Sequence, residues 1–213
     1  MGSPKAQTVR EAIYWQYAWL ISKSATGELN RAFQMERFQK LVSDEIRWSD
    51  ITREEERWCR DIASQKGQFC VYCGKGEKEV SLSWDHMIPV SLGGPGGHHS
   101  LHPWNRVQAC QSCNSSKGAR GLYEWFGYQG RHDINRIAEG KCLKLLFELH
   151  KEYGTLDYTK AEVKEKLCNS CHTRGKCPSS APSKAIEMLC VEGIITGRTA
   201  LPQDAQVVSD TRV

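Results

Sequence analysis

The sequence has no apolar run near the roughly 20 residues that a membrane-spanning helix needs. Its opening, MGSPKAQTVR, carries no secretory apolar segment. Position 6 is Ala, where a myristoylation motif takes Ser or Thr. These absences set the expectation of a cytoplasmic protein with no membrane partner. Strong charge of one sign is missing too: 29 Lys and Arg against 25 Asp and Glu leave +4, too little to identify a nucleic-acid binder. Residues 1–64 hold ten basic and ten acidic side chains, so the 19 against 15 that follow carry the whole excess. That mild bias suits a surface facing phosphates and suits ordinary scatter equally. There is no internal repeat and no long low-complexity tract, so nothing points to a repeat array.

Cysteine and large aromatics are plentiful. With 39% hydrophobic and 25% charged residues the chain fits a soluble globular protein with a lean core, which seven Trp and seven Tyr help to fill. Six of the ten cysteines fall into three CxxC pairs, Cys70/Cys73, Cys110/Cys113 and Cys168/Cys171. Without an export signal, such pairs favour metal ligation in a reducing compartment over disulfides.

Helical patterning dominates outside residues 65–130. Ile13, Tyr17, Leu20 and Ile21 recur at helical spacing over residues 8–24, and Thr8 with Glu11 has capping-box spacing. Asn30 to Val42 reads as a second helix burying Phe33, Phe38 and Leu41, and Ile51 to Ile62 as a third. The aromatic stripes of this segment read as core, and Cys59 as a small buried apolar residue. Ile134 to Tyr153 is expected helical with Gly154 at its end, followed by shorter helices over Thr159–Leu167 and Pro182–Cys190.

Between these lies WDHMIPVSLGGPGGHHSLHPWNRVQACQSCNSSK, Trp84 to Lys117. Val80, Leu82 and Trp84 alternate with Ser81, Ser83 and Asp85 as in a strand, and Trp104 to Gln108 reads as its partner. The glycines of residues 93–97 make the connection a loop, and a helix is expected near Cys113 through Ser116. Cys70, Cys73, Cys110 and Cys113 form two knuckles able to hold Zn2+ as a closed tetrathiolate. Asp85 and His86 are adjacent, so a regular strand would point them to opposite faces; both serve one site only if the chain turns there, which Pro89 permits. A carboxylate is a hard ligand for Mg2+, and a neutral imidazole can take a proton from water.

On the Asp85-His86 pair, Asn105, the CxxC of Cys110 and Cys113, Asn114 and Lys117, with the upstream knuckle, the segment resembles the HNH nucleases. The resemblance covers about residues 68–120. It implies a ββα-metal catalytic unit within an α+β, mostly helical chain, organised as a helical segment 1–64, a nuclease domain 65–130 and a helical segment 131–213. It further implies that His86 is the general base and that Asn105 braces the loop. Asp85 and Asn114 would ligate a catalytic Mg2+ or another divalent cation, and Lys117 would contact phosphate. For Asn114 a helix N-cap and for Lys117 a solvated charge are the plain alternatives, and His98, His99 and His102 read as polar loop residues.

Cys168, Cys171 and Cys177, with Cys190 or Cys142 as a fourth ligand, suggest a second site for Zn2+ or a [4Fe-4S] cluster; His172 is a spare ligand. The function expected is metal-dependent endonucleolytic hydrolysis of DNA, with double-stranded DNA as the partner and RNA left open. A homodimer, or restriction or phage machinery, would supply a setting. The rival is a zinc-dependent DNA-binding or scaffold protein whose nuclease site is inactive or subordinate.

Overall fold

A computed structural model describes residues 6–28, 30–89, 103–123, 125–126 and 133–167 of the chain. Among the described residues the fold is mostly helical with one two-stranded antiparallel sheet, the α+β arrangement expected. Helix α1 (Val9–Thr26) starts where Thr8 accepts a hydrogen bond from the Glu11 N–H at 3.2 Å. It stops at Gly27, whose φ of +75° disfavours any residue with a Cβ. Its surroundings differ from the amphipathic expectation. Every side chain from Ala12 through Leu20 is buried, including Gln16, so α1 is central rather than peripheral. It packs against both α2 (Arg31–Val42) and α5 (Arg136–Glu152).

Asn30 caps α2 by accepting from the Phe33 N–H, and Phe38 and Leu41 are buried as expected. Phe33 is only half-buried, with the Arg37 guanidinium over its ring. Gln34 takes an inward position, donating to the Trp15 carbonyl. Helix α3 (Trp48–Lys66) begins three residues earlier than the sequence suggested, because Trp48 is itself core, stacked on Phe147 at 4.8 Å. Asn135 caps α5, and the helix ends at Tyr153 just before Gly154 at φ +64°. The capping box of Thr159 and Glu162 starts α6 (Lys160–Glu162), which runs into a π-helical turn over Val163–Leu167.

The two ends of the helical body meet. Val9 and Arg10 donate backbone hydrogen bonds to Tyr158 and Leu156, and Arg10 pairs with Asp157 at 2.8 Å. The sequence between α3 and α5 supplies the sheet: β1 (Leu82–His86) pairs antiparallel with β2 (Arg106–Cys110), and α4 (Gln111–Lys117) follows at once. This is the ββα unit expected. A short 3-10 turn, Pro103–Asn105, leads into β2 and packs on α5. Polarity in β1 runs against its apolar alternation: Trp84 is 55% exposed, whereas Asp85 is buried with Val107 and Ala109 from the facing strand. Residues 168–190, with the second cysteine cluster and the Pro182–Cys190 helix, lie outside the described residues, as does the glycine-rich loop with His98, His99 and His102.

Candidate metal centre and active site

The first knuckle forms because Cys70 donates its N–H to the Lys75 carbonyl and accepts from Gly74, which sits at φ +78°. Val71 then donates to the Gln108 carbonyl at 2.9 Å and fastens the knuckle to β2. The second pair comes from the end of β2 and the first turn of α4. All four sulfur atoms of Cys70, Cys73, Cys110 and Cys113 lie within 4.8 Å of one another, with Cys73 and Cys110 3.8 Å apart. A tetrahedron with metal–sulfur bonds of ~2.3 Å has edges of about 3.8 Å, a spacing the Cys73–Cys110 pair already shows, so the cluster is consistent with a zinc site. Burial works against a Cys110 thiolate, but the Ser112 hydroxyl and the Cys113 N–H outweigh it and bring that thiol down to about 6. Burial pushes the Cys73 and Cys113 thiols up. Four crowded thiols cannot all ionise alone; a divalent cation at their centre removes that conflict.

Asp85 lies beneath α4. Its Oδ2 accepts from the Tyr72 hydroxyl at 2.6 Å and from the Lys117 ammonium at 3.1 Å, and Lys117 also donates to the His86 carbonyl at 2.7 Å. The Lys117 side chain is 0% exposed. It therefore makes no surface contact with phosphate, which corrects both readings drawn for it from the sequence. Helix side chains lean back toward the preceding turn, and this one leans over β1. Burial pulls the Lys117 ammonium down, with the Asp85 charge opposing, and burial with that same charge pushes the Tyr72 hydroxyl up, so the phenol stays a donor. Tyr72 is the residue that sequence reasoning missed; its only signal was a hydroxyl between two knuckle cysteines.

Asn105 is fully buried. Its Oδ1 accepts from the Ile88 N–H at 2.7 Å, its Nδ2 donates to the Ile88 carbonyl at 3.0 Å, and its own carbonyl accepts from Met87. This ties down the segment that leaves β1 just after His86. His86 itself is half-buried, paired in register with Arg106. The strand stays regular through that pair, so Asp85 and His86 point to opposite faces and the turn that would unite them begins later. Asn114 sits on the Asp85 face, donating to the Ser83 hydroxyl at 3.4 Å, and is no N-cap; that position belongs to Cys110. It lines a polar cleft of about 520 Å³ with Ser81, Ser83, Gln111, Ser115 and Gly118, which Asp85 and His86 do not border. The expected catalytic set is thus divided between two faces of one ribbon. For a divalent cation, Asp85 and Asn114 are oxygen donors of the right kind, but Asp85 is already neutralised by Lys117. They do not form a ready cation site.

Comparison with known proteins bears on the same segment. Residues 70–122 match the family model described as HNH endonuclease, a stretch well short of half the chain. No curated protein and no solved structure matches. The match begins at the first knuckle cysteine and ends just past α4, so it takes in the cysteine cluster, both strands and the helix. Residues 70–122 are thus similar to the HNH endonuclease family, and their four cysteines lie together in an arrangement consistent with a zinc site.

Proposed function

We propose that the protein is a metal-dependent endonuclease that hydrolyses DNA phosphodiester bonds, with His86 as general base. The observation that supports this reading is the brace of Asn105 on Ile88, which holds the exit of β1 just after His86. Lys117 adds a second hold through the His86 carbonyl. An imidazole so placed takes a proton from water as the oxygen attacks phosphorus; the bond to the leaving 3′ oxygen breaks, and that oxygen takes up a proton from solvent. Zn2+ on the four thiolates is structural, since a tetrathiolate leaves no open position. A second ion such as Mg2+ would lower charge on the phosphate; Asp85 and Asn114 are not assigned to it and no step runs through it, because Lys117 already pairs with the Asp85 carboxylate.

That same pairing favours the rival reading, a zinc-dependent DNA-binding or scaffold protein with a subordinate nuclease site. Supercoiled plasmid incubated with purified protein and Mg2+ separates the two. Nicked or linear product at levels that rise with the ion supports hydrolysis, and intact plasmid bound in a mobility shift supports the rival. Partners beyond nucleic acid, including a second copy, follow from the cut: a single unit nicks, and a defined double-strand break requires two.

A further inference from the structure

The open face of the ribbon carries a feature that catalysis by His86 does not use. Alternation puts Trp84, His86, Arg106 and Gln108 on the face away from α4, and the register sets Trp84 opposite Gln108 and His86 opposite Arg106. Trp84 is 55% exposed, one of two large apolar side chains so exposed among the described residues. The Arg106 guanidinium lies 4.7 Å from the centre of its ring. No carboxylate of β1 or β2 shares this face, because Asp85 points the other way. An exposed aromatic ring with a cation over one of its faces, two residues from the base, is complementary to a nucleobase stacked on the other face and to the phosphate that follows it.

We propose that Trp84 and Arg106 form a stacking platform for one unpaired nucleobase next to the phosphate that is cut, so that the substrate is nucleic acid with single-stranded character at the site. The platform rests on the nuclease reading for its place beside the cut, but its binding is measured without cleavage. Stacking requires the base to leave the duplex, and an aromatic platform accepts any base, so the preference is for strand form rather than sequence. The plain alternative is a cross-strand pair that only stiffens the ribbon.

The test is fluorescence anisotropy of the full chain with a labelled 15-nucleotide oligothymidylate and with a duplex of equal length, in zinc-containing buffer without Mg2+. Trp84→Ala is expected to weaken single-strand binding by about tenfold, the scale of one lost base–aromatic stack. Trp84→Phe should retain most of the affinity, and Arg106→Gln should weaken binding and flatten its salt dependence. Duplex binding should change less. Trp84 is exposed, so each variant is expected to fold, and a thermal melt checks it. Unchanged single-strand affinity in Trp84→Ala overturns the platform, as does an equal loss for duplex and single strand. If the affinity falls as expected while the parent never cuts plasmid, the nuclease reading fails and the platform stands.

Discussion

His86 and Asp85 are neighbours in sequence and strangers in space, and the physical cause is the period of a strand. One faces the open side of the ribbon; the other is enclosed with Tyr72 and Lys117. His86→Ala should leave zinc content and the thermal melt unchanged while lowering cleavage by about 10²–10⁴-fold, the usual contribution of a general base. Nicking by that variant at the parent's rate would remove the base assignment. Lys117→Met leaves the Asp85 charge enclosed without its ammonium and should cost about 3–5 kcal/mol in urea unfolding, against far less for the doubly neutral Asp85→Asn with Lys117→Met. Equal losses in the two would mean that the pair does not act as a pair. His150 offers a third residue-scale outcome. It is fully buried beside Thr155, and burial holds it at about 3. Between there and the unfolded value of about 6.5, the unfolded chain binds a proton that the folded chain does not. Stability complete above that upper value should therefore fall with decreasing pH, by up to about 1.4 kcal/mol per unit. His150→Gln should flatten that slope in denaturant titrations at pH 4 to 7.

At the scale of elements, the cysteine cluster ties three pieces of chain: the knuckle, the end of β2 and the first turn of α4. Chelation of the ion, or Cys113→Ser, should unfold the ribbon and α4 first, visible as loss of amide protection at residues 82–86 and 106–117 while α1 and α5 keep theirs. Uniform loss throughout would show that the helical body leans on the metal. These elements were legible in the sequence because each has a short-range signature: two CxxC spacings, the Thr8 cap and the 3.6-residue rhythm of α5. The contents of the site were less so. Burial of Lys117 and Asp85 is decided by which face of β1 the helix covers, and a strand reads the same from either side. The apolar alternation of β1 pointed to Trp84 as the covered residue, yet Trp84 is exposed beside Arg106.

At the scale of the whole molecule, the surprise is α1. Its pattern on one face was read correctly, but apolar residues on its other faces matter as much, since α2 and α5 both pack on it. No local pattern announces the pairing of residues 8–10 with 156–159, which are joined only by the completed fold. The core is continuous, taking in Ile13, Leu145, Tyr72 and Val107 together, so the ββα unit shares its apolar support with the helices. A fragment of residues 65–130 with Zn2+ should accordingly melt with low cooperativity, and adding back the helical segments should restore a sharp transition. A sharp transition for the fragment alone would make the unit self-sufficient.

Thr8 and Thr159 lie side by side as a bridge between distant parts of the sequence. A short peptide linking those positions would close residues 8–159 into a ring. Fresh ends could then be opened at Asp44, an exposed turn residue at φ +58° between α2 and α3. Such a circular permutant would reorder the helices along the polypeptide while leaving the ribbon and its four cysteines in their native setting.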